Sequence, residues 1–302
     1  MTKKVEAKNK MLIKCLTISY IAKVSFGSPN GGDKDIDNVN PIKKVTLANG
    51  DFIPYISSQA VRRALRDGLL GLGYNLSEID EASVKKGAPK TEMNPTEYID
   101  DDLFGFMDAE KGKGASTRTS PLRVESLVGL SEYKGDLDFG TNYMGKDKGI
   151  DPNIYETEVY SGYFKGSLLI ELDRVGCGSG FEKELTSIEK SERVKALINS
   201  FYNMWSSGRQ SRFLSSISPK FISSAFMVVK NPIFLEELNI IEDKINIEAI
   251  EEVKENYSEF IHETVFGEVK SLFDNGDEIL TLSGWKKRVF ELIDKAYRIK
   301  NN

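Results

Sequence analysis

Arginine side chains gather at two places in the sequence where they could together bind a phosphate chain. Arg62 and Arg66 share one face of a predicted helix with Gln59, and Arg209 and Arg212 lie in a loop rich in Gly and Ser. A guanidinium group can donate two parallel hydrogen bonds to a phosphate, and Gly and Ser leave backbone N–H groups accessible. The spacing therefore indicates an anion-binding surface.

The net charge neither supports nor excludes such binding. Lys and Arg number 41 and Asp and Glu number 46 in 302 residues, which gives a formal charge of −5. Acidic residues are concentrated at 234–277, and a net-negative protein can still bind a polyanion when its basic groups share one face. Each basic cluster alone is better explained as solvated surface. For the arginines of the helix and the loop taken together, surface arginines with Arg63 and Asp67 as an i,i+4 ion pair remain an equal alternative to phosphate binding.

Cysteine and histidine are too scarce for several kinds of chemistry. The chain has two cysteines, Cys15 and Cys177, and one histidine, His262. Zinc sites built from Cys and His are therefore essentially excluded, and histidine-dependent nucleophilic catalysis would rely on His262 alone. His262 lies between Glu259 and Glu263 in a predicted helix, which favours a half-buried structural residue. Two reduced thiols are typical of the cytosol.

Two groups of aspartates could hold a divalent metal ion. Asp33, Asp35 and Asp37 alternate in the loop after the first predicted strand, but the loop lacks the Gly and Glu that a calcium loop needs at its sixth and twelfth positions. Asp100–Asp102 are consecutive, and three adjacent carboxylates do not easily converge on one ion. We interpret one of these three as a helix cap or turn residue and the others as solvated.

Hydrophobic periodicity predicts the elements that would position these residues. In chain order it indicates a strand at 16–26, a helix from about 58 to 72, strands at 122–130 and 164–172, a helix at 194–205 and a strand at 221–229. This order predicts an α+β, ferredoxin-like (RRM-like, βαββαβ) fold, with an antiparallel sheet and two helices on one face. The other face would stay open, and RNA-recognition modules bind single strands there.

Long stretches outside this pattern predict insertions and a C-terminal extension. The core would comprise 12–74, 121–132 and 163–230, interrupted by insertions at 75–120 and 133–162 that are rich in Gly, Pro and charged residues. Residues 231–302 are predicted to be mostly helical and packed on the core. The longest apolar runs are too short to span a bilayer, and the Lys-rich N-terminus does not resemble a secretory signal.

Five short segments follow one another in a specific order: Ile56–Asp67, Asp101–Phe106, Thr119–Arg123, Glu158–Phe164 and Gly208–Pro219. Together they resemble the backbone subunits of type I CRISPR interference (Cascade) complexes, the DevR-type CRISPR-associated autoregulator family. The resemblance covers roughly residues 12–230.

The resemblance implies a hand-shaped, non-catalytic protein that binds CRISPR guide RNA. The ferredoxin-like core would be the palm, 75–120 the finger and 133–162 the thumb. Copies would stack head to tail along the guide RNA, beside other Cascade subunits, and present guide segments for pairing with target DNA. The resemblance implies no cofactor, no metal and no membrane, and a cytoplasmic location.

The same resemblance, with position in the chain, assigns candidate site residues. RNA contacts are expected from Asn30, Gln59, Arg62, Arg66, Arg118, Arg123, Arg209 and Arg212. An apolar wedge in the thumb, replacing lost base stacking, is expected from Phe139, Tyr143 and Met144.

Three alternative functions remain open at this point. Related backbone subunits of other CRISPR classes cut target RNA with an Asp in the loop after the first strand, where this chain has Asp33, Asp35 and Asp37. The autoregulator name suggests a DNA-binding regulator, although the sequence shows no helix-turn-helix pattern. A guide-processing ribonuclease of the same fold would need acid–base groups, for which His262 is the sole histidine.

Overall fold

A computed structural model describes residues 12–33, 38–85, 89–108, 116–149, 151–205 and 212–299. Asp35, Asp37 and Arg209 lie outside these ranges. The strands are β1 (Cys15–Gly27), β2 (Val39–Asn40), β3 (Lys44–Thr46), β4 (Phe52–Ile56), β5 (Phe106–Asp108), β6 (Ser116–Arg118), β7 (Leu122–Val124), β8 (Leu127–Gly129), β9 (Leu137–Asn142), β10 (Asn153–Glu158), β11 (Tyr160–Ile170), β12 (Pro219–Met227), β13 (Ile240–Ile241), β14 (Lys244–Ile245), β15 (Ile261–Glu268) and β16 (Leu280–Thr281). The helices are α1 (Ser58–Gly71), α2 (Glu81–Lys85), α3 (Ile99–Phe104), α4 (Ser187–Tyr202), α5 (Ile247–Asn256) and α6 (Leu282–Ala296).

One sheet of nine strands organises the molecule. Its order is β16-β15-β12-β1-β11-β8-β4-β3, and β7 also pairs with β11. The four strands anticipated from the sequence lie side by side at its centre as β12, β1, β11 and the interrupted β7–β8, and their pairings are antiparallel. The sheet is therefore wider than four strands, because β3 and β4 extend one side and β15 and β16 the other.

Three helices cover one face of the sheet. α1 packs against α4, and α4 packs against α6. α1 begins at Ser57, whose hydroxyl accepts a hydrogen bond from the Ala60 backbone N–H, and it buries Val61, Leu65 and Leu69. These side chains meet the even-numbered residues of β1, Leu16 to Val24, in the larger hydrophobic core. The period of two in β1 and the helical period in α1 thus produce one buried layer.

The opposite face of the sheet is also buried, so the expectation of an open face was wrong. Cys15 and Ile21 of β1 share a second hydrophobic core with Phe221 of β12. The chain after β12 supplies its cover, including Phe234 and Ile250. The sequence pattern did not indicate this cover, since short apolar pairs in an acidic segment give little periodic signal.

Residues 231–302 are not mostly helical, because part of this segment joins the sheet. β15 pairs antiparallel with β12 along its length, and β16 pairs in parallel with β15. His262 consequently lies in a strand rather than in the predicted helix. Flanking acidic residues favoured a helix locally, but the exposed edge of β12 provides a full set of backbone hydrogen-bonding partners for a strand.

The insertion at 75–120 is tied to the core by a buried carboxylate. Asp102, at 0% exposure, accepts hydrogen bonds from Arg118 Nη2 at 2.5 Å, Arg193 Nη1 at 2.8 Å and the Gly176 backbone N–H at 3.0 Å. Arg193 belongs to α4, and Gly176 lies in the turn that follows β11. One side chain of α3 therefore joins three segments that are distant in sequence.

The neighbouring aspartates are buried inside α3 as well, so the interpretation of one of the three as a cap or turn residue and of the others as solvated was wrong. Asp100 accepts hydrogen bonds from Arg66 at 2.5 Å and from the Ser77 N–H at 2.9 Å, and Asp101 accepts one from the Asn94 N–H at 2.9 Å. Burial raises the pKa of Asp100, although these two donors act in the opposite direction. Each of the three carboxylates therefore has its own set of hydrogen-bond partners.

We expect Asp102→Asn to destabilise the protein strongly, because the variant leaves the buried Arg118 and the nearby Arg193 without a carboxylate. The loss should be about 3–5 kcal/mol in the free energy of unfolding, measured by urea denaturation. Asp67→Asn, in the exposed Arg63–Asp67 pair, is the matched control and should cost under about 1 kcal/mol. Equal losses in the two variants would contradict the role of Asp102.

Candidate nucleic-acid interface

Arg118 was predicted to contact RNA, but it is buried and hydrogen-bonded within the protein. Its side chain is 1% exposed, and its guanidinium donates to Asp102 twice and to the backbone carbonyls of Arg174, Cys177 and Ser179. These bonds use all five N–H groups of the side chain, so none remains for a phosphate. The sequence could not reveal this, because the carbonyls belong to the turn after β11.

Arg62 and Arg66 do share one face of α1, as the helical spacing predicted. Arg62 donates to the carbonyls of Phe104 at 2.7 Å and Leu122 at 3.3 Å, and Arg66 pairs with Asp100. Both guanidinium groups also lie over the Phe104 ring, at 5.1 and 5.9 Å from its centroid. Burial, reinforced by the Arg66 charge, lowers the pKa of Arg62. These two arginines therefore hold α1 against the insertion.

Arg123 is the most exposed of the described arginines predicted to bind RNA. Its side chain is 55% exposed, and its Nε and Nη2 donate to Glu171 at 3.0 and 2.9 Å. Arg174 and Lys230 contact the same carboxylate at 3.1 and 2.8 Å. Burial alone would raise the pKa of Glu171, but the hydrogen bonds from these cations lower it to about 2. A carboxylate that is ionised at neutral pH thus contacts all three cations of a partly exposed basic cluster.

Asn30 and Gln59 lie close to the start of α1 but differ in their contacts. The Asn30 side-chain oxygen accepts a hydrogen bond from the Ser57 backbone N–H at 2.9 Å, so Asn30 supports the helix start. Gln59 is exposed, and its side-chain oxygen accepts a bond of 3.4 Å from the Ser58 hydroxyl. Gln59 is the more accessible of the two.

The second insertion contains an antiparallel hairpin formed by β9 and β10, with β2 pairing in parallel along β10. We call β9 and β10, with the turn between them, the hairpin. Phe139, Tyr143 and Met144 are 61%, 56% and 91% exposed. The three predicted wedge residues therefore present apolar surface to solvent on one structural unit.

Arg212 ties the hairpin to the segment that precedes β12. It forms an ion pair with Asp138 of β9 and donates to the Thr157 hydroxyl of β10 at 3.0 Å. Its guanidinium also lies over the Tyr155 ring, 4.8 Å from the centroid. Gly140 makes this packing possible, because a Cβ there would lie 2.5 Å from the Tyr155 ring. Arg212 is thus engaged by both strands of the hairpin.

The predicted arginines that the structure describes contact three separate parts of the chain, apart from Arg118. Arg62 and Arg66 contact the insertion at 75–120, Arg123 contacts Glu171, and Arg212 contacts the hairpin. Convergence of these side chains into one groove, together with Arg209, stays a prediction. The contact of Arg212 with the Tyr155 ring was missed, since a cation–π contact between distant segments leaves no local sequence signal.

The loop after β1 is described only in part. Asp33 lies within the described residues, and Asp35 and Asp37 lie outside them. In the part of the chain that the structure covers, no group of three or more His, Cys, Asp or Glu side chains is arranged to hold a metal ion. Within that same part, no helix is long and apolar enough to cross a membrane.

A family model, that of the CRISPR-associated negative auto-regulator DevR/Csa2, matches residues 72–249, more than half of the chain. The chain belongs to the DevR/Csa2 family. A relative, the CRISPR-associated protein Cas7/Cst2/DevR of Myxococcus xanthus (strain DK1622), is 31% identical over 142 residues. That match covers 41% of this chain and 47% of the relative, so the chain spans about half of the relative's length.

Solved structures similar to this DevR/Csa2 chain come from RNA-guided assemblies. A chain of a CRISPR RNA-guided surveillance complex in a pre-nicking state aligns with a TM-score of 0.65 and 13% identity, over 93% of this chain and 100% of that one. A second chain of a CRISPR RNA-guided surveillance complex gives 0.60 and 16%, over 93% and 99%. The similarity is one of fold: a mixed α+β architecture with a large sheet. The resemblance drawn from five sequence segments is confirmed at the level of the family.

We expect Arg212→Ala to loosen the hairpin of this DevR/Csa2 chain, because Asp138 loses its counterion and Tyr155 its cation. Amide hydrogen exchange at 137–142 and 153–158 should accelerate about 2- to 30-fold, the range for losing one cation–π contact. Arg288→Ala is the control: it removes an arginine of α6 that pairs with Glu263 and Glu291. Unaltered exchange in the hairpin of Arg212→Ala would show that Arg212 does not anchor it.

Proposed function

We propose that this chain is a non-catalytic backbone subunit that binds CRISPR guide RNA in the cytoplasm, in a type I interference complex. Copies assemble head to tail along the guide, contact other Cascade subunits and present guide segments for pairing with target DNA. Membership of the DevR/Csa2 family and a fold similar to chains of surveillance complexes support this assignment.

The hairpin is the single observation that carries the proposal. Its exposed side chains include Phe139, Tyr143 and Met144, which are all more than half exposed. Apolar side chains are expensive to leave in water, and a flat or flexible apolar group can replace the stacking of a displaced base. We therefore assign the hairpin as the thumb, with these three residues as candidates for the wedge that unstacks the guide.

The central strand order supports a ferredoxin-like palm. The predicted fourth, first, third and second strands are neighbours in that order, as β12, β1, β11 and β7–β8. The burial of both sheet faces leaves the rims of the sheet, rather than a free face, for RNA. Accessible groups at the rims include Gln59 near the start of α1 and Arg123 in β7.

The assignment is tested by mixing the purified full chain with single-stranded RNAs of increasing length and measuring mass by light scattering. We expect complexes whose copy number rises with RNA length, because the RNA sets the length of a head-to-tail assembly. Duplex DNA of equal length should bind more weakly. Sequence-specific binding of duplex DNA, without RNA-dependent assembly, would instead favour a DNA-binding regulator.

The same mixtures test the non-catalytic assignment. RNA complementary to the bound guide should stay intact in the presence of Mg²⁺. Cleavage that disappears in Asp33→Ala would contradict a non-catalytic subunit and favour an endoribonuclease.

Arg123→Gln should weaken RNA binding equally for all sequences. Loss of one phosphate contact reduces the slope of log affinity against log salt by about 0.7 for a single strand. The fold should tolerate this change, because Arg174 and Lys230 still neutralise Glu171. Arg288→Gln makes the same charge change on α6 and should leave the slope unaltered. Equal slopes for wild type and Arg123→Gln would remove Arg123 from the interface.

A further inference from the structure

A row of stacked groups connects the hairpin to the end of β1. The Arg212 guanidinium lies 4.8 Å from the Tyr155 ring centroid and 5.2 Å from that of Phe213. Phe213 in turn meets Phe26 of β1 edge to face, with ring centroids 5.6 Å apart. We call these four residues the aromatic ladder. Phe213 is 4% exposed, whereas Phe26 is 55% exposed, so the ladder ends in an aromatic ring open to solvent.

A β-bulge explains why Phe26 points outward. The even-numbered residues of β1 up to Val24 are buried under the helices, and a strict period of two would bury Phe26 with them. Val24 pairs with Gly162 and Gly27 pairs with Tyr160, so two residues of β1 oppose one residue of β11. Bulges of this kind redirect a side chain and are enriched next to functional sites.

Close packing at Gly27 holds Phe213 against the bulge. A Cβ on Gly27 would lie 2.2 Å from the Ser215 hydroxyl and 3.5 Å from the Phe213 Cβ. The segment before β12 therefore packs directly on the backbone of the bulge, which fixes Phe213 against Phe26. Leu214, next in the chain, is 81% exposed. The exposed ring is thus preorganised, so binding to it would order few additional groups.

We propose that Phe26 is a stacking site for one unpaired nucleobase of the bound RNA, an inference that rests on the proposed RNA-binding function. A flat base on the exposed ring would extend the ladder by one member. Every nucleobase offers a π-face, so the site accepts any sequence, as a subunit that binds many different guides requires. The predicted RNA-binding residue Arg212 lies two steps along the ladder, between Tyr155 and Phe213.

Photocrosslinking tests the contact directly. The full chain is bound to single-stranded RNA carrying 5-iodouridine, which crosslinks to a stacked aromatic side chain on irradiation. Mass spectrometry should place a crosslink on the peptide that contains Phe26, and Phe26→Leu should abolish it. Iodouracil in complementary DNA paired to that RNA should not crosslink there. A Phe26 crosslink from the DNA alone would overturn the assignment to RNA.

Affinity variants separate stacking from apolar burial. Phe26→Leu keeps an apolar side chain against Phe213 but removes the ring, and it should weaken binding of a short RNA roughly 5- to 150-fold, the range for one base stack. Phe26→Tyr keeps the ring and should bind within about twofold of wild type, since stacking is retained. Phe52→Leu is the matched control, because Phe52 is 50% exposed on β4 and is not part of the ladder. It should leave affinity unaltered.

The outcomes distinguish failure of this inference from failure of the proposed function. RNA binding that persists at full strength in Phe26→Leu, with no crosslink in wild type, overturns the stacking site and leaves the proposed function intact. Absence of RNA binding by the wild-type chain overturns both. Reduced self-association of Phe26→Leu without RNA, measured by light scattering, would assign the ring to a contact between copies and also overturn the inference.

Discussion

The structure depends on the buried carboxylate of Asp102 and on its ion pairs with Arg118 and Arg193. An ionised carboxylate removed from water is tolerated only when donors surround it, and Asp102 has two guanidinium groups and a backbone N–H. Those donors come from β6, α4 and the turn after β11, so satisfying one charge fixes the insertion at 75–120 relative to the sheet. Arg118 in turn needs five acceptors, which further specifies the path of the turn after β11.

Arginine therefore has two distinct uses in this chain. Arg62, Arg66 and Arg118 are internal ties, since they donate to carbonyls and carboxylates of the insertion, and Arg62 and Arg118 also to carbonyls of β7 and of the turn after β11. Arg212 ties the hairpin in the same way, whereas Arg123 keeps more than half of its side chain in solvent. The sequence of a basic cluster does not show which use applies, because hydrogen-bond acceptors far away in the chain decide whether each arginine is buried or exposed.

The sequence was most informative where one period dominates a segment. β1 and α1 are long, and their apolar residues recur at the spacing of the element, so both were predicted from local pattern. The same reasoning failed for β15, whose strand conformation depends on the free edge of β12. At the candidate site the family resemblance, rather than any period, named Phe139, Tyr143 and Met144; all three are more than half exposed, and their role as a wedge stays a prediction. The local pattern missed Phe26, since a bulge is defined by pairing with another strand.

The bulge in β1 connects strand pairing with the exposure of Phe26. A regular β1 would bury Phe26 in the core under the helices, so the fold forgoes that burial and places the ring at the end of a stack. The stack begins at Tyr155 in the hairpin, and Arg212 joins it to the segment that packs on Gly27. A displacement of the hairpin would therefore act on Arg212 and Phe213 before it reached Phe26. Tyr155 of the hairpin and Phe26 at the end of β1 thus belong to one connected row of contacts.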